Sequence, residues 1–503
     1  MENISFWSET KLPQNYRPIA IIPMLYKLFA RLLYNRLEVL LDKQQTPDQA
    51  GFRHNYSTED HLYTLTILHE QAAEWQLNLW VAAIDFKKAF DSINHDKLWQ
   101  TLKEQHVPSA YIKLLQELYA QQDATVKTDQ HSRHFSIKRG VKQGDPLSSL
   151  LFNALLEHMF KRLKLRWTTD RFGIQLAHAA NTRLTNLRFA DDVLLIGRTK
   201  AAITLMLTDV YDLALDYGLE LHPDKTYILH NDSKGTNRTS RAPVNIRGHT
   251  VQVLPFDSST KYLGRLFTFN DYHTTEVHNR IACAWRKFHA LRNELTSRRY
   301  PLRTRLRLFD GTITPTVLYA CTSWTLTDDL ATTLQRTQRR MLRLIVGTPR
   351  RNHQPNRCTN EQATMHPSAT TGTHELLADT NKDDLEPWVD FIKRATHIAE
   401  ATISKQNISQ WTTAYLRRKW RWAQRLTTVP DNRWCRLITK WKPTTTEHRP
   451  VYRRQGRPRK RWRDDIDDYF DKIGTNNWFE TGKAAWRQHE EKFIKLQKAK
   501  DDE

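Results

Sequence analysis

Leu184-Thr185-Asn186-Leu187-Arg188-Phe189-Ala190-Asp191-Asp192-Val193-Leu194-Leu195-Ile196-Gly197 is the stretch on which the reading of this 503-residue chain turns. Apolar residues run up to an acidic pair and away from it again, and Gly197 closes the segment. The pattern predicts two short strands joined by a tight turn that carries Asp191 and Asp192. Adjacent carboxylates at a strand junction repel, and a bound cation relieves that cost. Read alone, such a pair is far more often an ordinary acidic turn, so its neighbours must decide.

Upstream, Leu79-Trp-Val-Ala-Ala-Ile-Asp-Phe86 predicts a buried strand with Asp85 at its C-terminal end, where α/β sites commonly place a ligand. A helix follows through Leu98 and Leu102, with Ser92 or Asn94 as its cap. Another helix covers 110–119, and 124–128 pairs with 134–138. Between strand and hairpin lies Arg139-Gly-Val-Lys-Gln-Gly-Asp-Pro-Leu147, in which two glycines frame Gln143. Asp145-Pro146 there offers an N-cap and a first-turn proline for a helix from Leu147 to about Leu165. A glycine loop opening a helix suits close approach of a sugar, base or phosphate, and equally a tight turn before a core helix.

Nearer the N-terminus, 24–41 predicts an amphipathic helix with Leu25, Leu28, Phe29, Leu32, Leu33, Leu37 and Leu40 on its apolar face. A polar loop with Gly51 and Arg53 leads to a second helix over 58–75. Arg53 there is a phosphate ligand or a solvated surface charge. Downstream of the hairpin, 200–217 is helical and ends at Gly218. A strand at 227–229, a polar loop over 231–249 and a strand pair around Gly264 follow. Residues 271–345 read as basic helices, and 350–384 as a linker without periodicity. From 385 tryptophan alternates with arginine and lysine, up to Arg453-Arg-Gln-Gly-Arg-Pro-Arg-Lys-Arg-Trp-Arg463. Most of these tryptophans are expected in a core, with 453–463 as a nucleic-acid-binding or nuclear-import element.

Lysine and arginine number 77 against 55 acidic residues, a formal charge of +22 that favours a polyanionic partner, nucleic acid first. A membrane surface is the runner-up to nucleic acid; no apolar run approaches about 18 residues, so nothing is expected to span a bilayer, and no membrane is counted among the expected partners. Cys283, Cys321, Cys358 and Cys435 lie far apart, which supports neither a zinc module nor a disulfide framework and fits an intracellular setting, nucleus or cytoplasm.

Asp85 at a strand end and Asp191 with Asp192 at a hairpin tip form a minimum kit for two divalent ions in phosphoryl transfer, Mg2+ by ligand chemistry with Mn2+ as substitute. In this order, with the glycine loop between, the chain resembles a reverse transcriptase of the non-LTR (LINE-like) retrotransposon family. The matching pieces are Tyr16-Arg-Pro-Ile19, Ala50-Gly-Phe-Arg53, Ala83-Ile-Asp-Phe-Lys-Lys-Ala-Phe-Asp91, Gly140-Val-Lys-Gln-Gly-Asp-Pro-Leu-Ser148, Phe189-Ala-Asp-Asp192, Gly218-Leu-Glu-Leu-His-Pro-Asp-Lys225 and Tyr262-Leu-Gly264.

The resemblance implies an α+β right-hand polymerase: fingers and an antiparallel-sheet palm over 13–269, a helical thumb over 271–349, a linker over 350–384 and a basic helical module over 385–503. It implies that Asp85, Asp191 and Asp192 ligand the metals, assisted by the Phe86 carbonyl. Phe90 is implied to reject a ribose 2′-hydroxyl, Gln143 and Gly144 to touch the incoming nucleotide, Arg53 to reach its triphosphate and Lys225 to protonate departing pyrophosphate. Tyr262, Leu263 and Gly264 would grip the primer, and Arg457, Arg459, Lys460 and Arg461 would bind nucleic acid. The implied partners are an RNA template, a DNA or RNA primer, deoxynucleoside triphosphates and a separate endonuclease. Because the chain starts within the fingers and shows no nuclease motif, a truncated element is expected. The alternatives are an intron-maturase-like protein and a catalytically silent RNA binder.

Overall fold

The computed structural model describes residues 19–120, 122–127, 131–176, 182–231, 241–351, 385–443, 445–446, 449–450, 453–475 and 477–502. Tyr16, Arg17 and Pro18 of the first matching piece, residues 232–240 of the expected loop and residues 352–384 of the expected linker lie outside them. The chain forms two compact units: Met1–Glu276 with Ala320–Thr325 and Lys419–Glu503, and Val277–Tyr319 with Leu326–Arg418.

The first unit is organised around a six-stranded sheet: β1 (Trp80–Ile84), β2 (Asn186–Phe189), β3 (Asp192–Gly197), β4 (Tyr227–His230), β5 (Val244–Ile246) and β6 (His249–Val253), in the order β2-β3-β1-β4-β6-β5. Trp80, Ala82 and Ile84 of β1 join Val193, Leu195 and Ile228 in one core, while the alternate residues Val81, Leu194, Ile196 and Leu229 are buried as well. A strand covered on both faces reads as an unbroken apolar run, as β1 and β3 do. All pairings are antiparallel except β4 with β6, where Tyr227 and Ile228 lie beside Gln252 and Val253. The expected antiparallel palm is therefore correct but for one pair. β5 and β6 form a hairpin of their own, and its second arm is the one laid along β4.

Helices α1 (Met24–Asp42), α2 (Thr58–Glu74), α3 (His95–Glu104), α4 (Ser109–Ala120), α5 (Pro146–Thr169) and α6 (Lys200–Asp216) complete this part. Ser57 and Asp60 close a capping box on α2, Asp145 caps α5 ahead of Pro146, and the Thr199 hydroxyl caps α6. These local hydrogen bonds satisfy amides that have no partner within their helices. The expected face of α1 is corrected: Ala30, Leu33, Leu37 and Leu41 are buried, whereas Leu25 and Leu28 are 81% and 61% exposed. The helix carries two apolar stripes, and periodicity alone does not say which one packs.

After β7 (Ser259–Tyr262) and β8 (Arg265–Thr268) comes α7 (Tyr272–Ala290), followed in the second unit by α8 (Leu302–Val317), α9 (Asp328–Val346) and α10 (Trp388–Lys405). Within that unit Trp411, which opens α11 (Trp411–Thr428), stacks on Phe309 and donates its ring N–H to the Thr314 hydroxyl at 3.1 Å. Lys419–Glu503 belong to the first unit rather than to a body of their own starting at 385. They include α12 (Trp434–Lys440), α13 (Asp464–Lys472) and α14 (Lys483–Asp502). Trp420, Trp434, Trp462, Trp478 and Trp486 there are buried, as the interleaved pattern predicts. Among the described residues no helix is long and apolar enough to cross a membrane.

Candidate active site

β1 ends at Ile84, which pairs with Val193 at the start of β3, so the same register continued one step sets Asp85 beside Asp192. Across the tip Phe189 pairs with Asp192, leaving Ala190 and Asp191 as the two-residue turn. Three aspartates thus stand at one end of the sheet, with Asp191 half-buried and Asp192 exposed. The Asp85 backbone carbonyl accepts from the His222 amide at 2.8 Å. Its carboxylate lies 3.8 Å from the Lys225 ammonium, which stands on the short turn Pro223–Lys225 and is 63% exposed.

Ala190 has φ +56°, a left-handed conformation that costs a residue with a Cβ about 1–2 kcal/mol. Support for it comes from far upstream. The buried Gln49 side chain accepts from the Ala190 and Gly51 amides at 2.9 Å each, and its amide group reaches the Ala190 carbonyl at 3.4 Å. Asp48 and Ala50 exchange backbone hydrogen bonds with Arg188 of β2. Gly51 lies so close that a Cβ built on it would sit 2.3 Å from the Ala190 nitrogen. The Asn153 side chain fixes the Gly51 carbonyl at 2.7 Å. Residues 48–51 therefore clamp the acidic tip. The resemblance pointed to this loop for Arg53 and missed Gln49, whose only signal was its place two residues before Gly51.

Beneath the tip Arg188 is 1% exposed and pairs with Glu157 at 2.8 Å. Asp48, equally buried, receives Lys164 at 2.7 Å and the Trp434 ring N–H at 2.8 Å. Burial alone would raise the Asp48 pKa, but the Lys164 and Arg188 charges overcome this and hold it below the usual carboxylate value. A buried carboxylate so surrounded stays ionised.

Phe90 stacks on Phe152 of α5 with centroids 4.4 Å apart, and Phe52 meets it edge-on. Its carbonyl accepts from Val141, which ties the first carboxylate segment to the glycine loop. Phe86 is buried and bridges to Leu221, so only its backbone is available to a ligand. In the loop the Gln143 carbonyl accepts from Ala20, and Gly144 is exposed with φ +104°. Tyr26 hydrogen-bonds the capping Asp145 at 3.2 Å.

Arg53 is placed otherwise than the resemblance implies. Its side chain is 8% exposed, pairs with Asp42 at 2.7 Å and donates to the Thr46 and Gln49 carbonyls. It braces the clamp loop. In the β7–β8 hairpin Tyr262 and Leu263 are buried, and Gly264 at the turn is partly exposed. Tyr262 faces His61 at 3.4 Å. Burial pushes its phenol up and the nearby Asp192 charge adds to this, while burial draws His61 down to about 4.

The basic stretch divides. Arg457 and Arg459 are exposed, but Lys460 pairs with Asp465 at 3.1 Å, and Arg461 with Asp464 at 2.9 Å and Glu74 at 3.6 Å. Trp462 between them is fully buried, its backbone amide on Glu70 and its ring N–H on the Thr322 carbonyl.

Among the described residues no three His, Cys, Asp or Glu side chains enclose an ion by themselves. The donor set is nonetheless apt, since Mg2+ is commonly held by one or two carboxylates with waters and substrate phosphates completing its shell.

Residues 8–266 match the family described as reverse transcriptase (RNA-dependent DNA polymerase). The Pol polyprotein of the type-2 retrotransposable element R2DM of Drosophila melanogaster is 29% identical over 221 residues, 44% of this chain and 20% of that protein. Its counterpart from the R2 element of Nasonia vitripennis is 27% identical over 279 residues, 54% of this chain and 26% of that one. The probable RNA-directed DNA polymerase from transposon BS of Drosophila melanogaster is 28% identical over 266 residues, 50% and 27% respectively. The chain thus spans about a fifth to a quarter of the length of these relatives. With the matched region holding more than half of the chain, and with the three aspartates, the glycine loop and the turn of the β7–β8 hairpin inside it, the chain belongs to the reverse transcriptase (RNA-dependent DNA polymerase) family.

Proposed function

We propose that this chain is the RNA-directed DNA polymerase of a non-LTR retrotransposon, extending a primer on an RNA template with deoxynucleoside triphosphates. The observation that carries the reading is the β1–β3 register, which sets Asp85 beside Asp192 with Asp191 at the turn. Members of this family generally work with divalent metal ions. Asp85, Asp191 and Asp192 would hold them here, Mg2+ or Mn2+, with the Phe86 carbonyl near by. When bound, the ions lower the pKa of the attacking hydroxyl and steady the leaving oxygens.

The chain's own side chains take the remaining roles. Phe90, fixed between Phe152 and Phe52, walls the sugar pocket and rejects a 2′-hydroxyl. Gln143 and Gly144 meet the nucleotide at a loop whose exposed glycine permits close approach. Lys225, largely exposed and 3.8 Å from Asp85, donates a proton to the departing pyrophosphate. The Gly264 turn contacts the primer end through backbone, since the neighbouring Tyr262 and Leu263 are buried. Helices α7, α8 and α9 serve as thumb, with phosphate contacts of little sequence preference. Arg457 and Arg459 extend the nucleic-acid surface.

Incorporation of deoxynucleotides on a primed RNA with Mg2+ or Mn2+, wild type beside Asp191→Ala, tests the reading. Wild-type incorporation that falls on the order of a thousandfold in the variant, about 4 kcal/mol of barrier, is the expected result. A wild type that binds the primed RNA but extends nothing would reduce the chain to an RNA binder.

A further inference from the structure

The tail of this chain enters its active-site scaffold. Trp434, at the start of α12, is buried, and its ring N–H donates to Asp48 Oδ1 at 2.8 Å across 386 residues of sequence. The other Asp48 oxygen takes the Lys164 ammonium at 2.7 Å and the Thr46 hydroxyl at 3.0 Å, with the Arg188 guanidinium at 3.8 Å. The Lys164 ammonium lies over the Trp434 ring at 5.2 Å. Asp48 is the first residue of the clamp. Its carbonyl accepts from Arg188, the Ala50 amide donates back to Arg188, and Gln49 between them holds the Ala190 turn. Two hydrogen bonds and one peptide unit therefore separate Trp434 from the left-handed residue that aims Asp191.

We infer that Trp434 and Asp48 are positioning residues for the acidic tip, so that Lys419–Glu503 act as a built-in part of the polymerase scaffold rather than as an appended nucleic-acid-binding module. The surroundings of α12 support this. Arg433 lies over the Tyr56 ring at 3.6 Å and pairs with Asp60 at 3.3 Å, Thr439 meets the Tyr63 hydroxyl at 3.0 Å, and Cys435 reaches Asp60. All of these partners lie on or just before α2, which follows directly on the clamp loop. Without the Trp434 N–H, a buried charged oxygen loses a donor and its backbone loosens.

The inference rests on the proposed role of Asp191 and Asp192 for its functional meaning, but its geometry is tested without activity. Hydrogen exchange over 186–192 is compared in wild type, Trp434→Phe and Tyr469→Phe. The last removes the Tyr469–His489 hydrogen bond of 2.7 Å in the same C-terminal segment. Trp434→Phe is expected to lower protection at the Ala190 amide roughly tenfold, as loss of a donor to a buried charge implies, while Tyr469→Phe leaves it unchanged. Asp48→Asn, which keeps the side-chain shape, supplies the same comparison where Trp434→Phe does not accumulate as folded protein. The expected companion result is a raised half-saturating Mn2+ concentration for incorporation in Trp434→Phe alone. Unchanged exchange at 186–192, or equal loss in Tyr469→Phe, overturns the inference. A wild type that incorporates nothing defeats the functional reading, and the exchange comparison still decides this one.

Discussion

The hairpin of β2 and β3 turns on Ala190-Asp191, whereas the hairpin of β7 and β8 turns on Leu263-Gly264. Each places a residue with a Cβ in the left-handed region, Ala190 at φ +56° and Leu263 at +47°. They are held in different ways. Leu263 and Tyr262 are buried by their own side chains, and Gly264 at +74° meets the second positive φ without cost. At the acidic tip Ala190 offers only a methyl group, Asp191 is half-buried and Asp192 exposed, and the turn takes support from Gln49, 141 residues away. A turn that must present charge cannot also anchor itself, and its stability is then written elsewhere in the chain.

Substitution at the borrowed support should have the largest effect. Gly51→Ala drives a Cβ to 2.3 Å from the Ala190 nitrogen, and backbone on both sides leaves nowhere to yield. Overpacking of this kind costs about 1–3 kcal/mol, and we expect incorporation to fall further than the melting temperature accounts for. Normal incorporation by Gly51→Ala would erase the contrast between the hairpins. Gly264→Ala is expected next, at about 1–2 kcal/mol of stability from the left-handed penalty alone, read as a lowered midpoint in denaturant.

A pH arm probes the space between the hairpins. His61, buried against Tyr262, has its pKa drawn to about 4 against an ordinary 6.5. The unfolded chain therefore takes up a proton between these values that the folded chain refuses, and stability falls as pH drops through that window. From pH 6.5 to 5.5 the loss from this residue is about 1 kcal/mol, and His61→Gln should flatten the slope of stability against pH there. An unchanged slope would place the titration elsewhere. The smallest effect belongs to Ala190→Gly. Relief of the left-handed cost outweighs the added chain entropy by a few tenths of a kcal/mol, so the midpoint should rise slightly. A fall would mean that the methyl group, not the backbone, secures the tip.

Much of this architecture was legible in the residues. The runs 79–86 and 184–197 gave β1 and the acidic hairpin because a doubly covered strand is apolar throughout, and Asp145-Pro146 announced α5 through its cap. Gly264 marked its own turn. What stayed hidden depends on distance along the chain. Nothing local tells which stripe of α1 packs, that Arg188 inside an apolar strand is neutralised by Glu157, or that Asp48 is completed by Trp434. Arg53 looked like a phosphate ligand because arginine in a glycine loop is ambiguous until its carbonyl partners are seen. Lys460 and Arg461 looked like one basic surface because the acids that answer them lie a few residues downstream and in α2.

The 386-residue span from Asp48 to Trp434 bears on the order in which the molecule can be made. A ribosome reading this chain releases β1, the glycine loop and the acidic hairpin long before Trp434 emerges. Until then the Asp48 carboxylate lacks its last donor. Contacts so distant in sequence close late. A product released before residue 434 would carry Asp85, Asp191 and Asp192 and still lack the Trp434 donor to Asp48, so the support beneath the acidic turn is completed only once translation has passed that point.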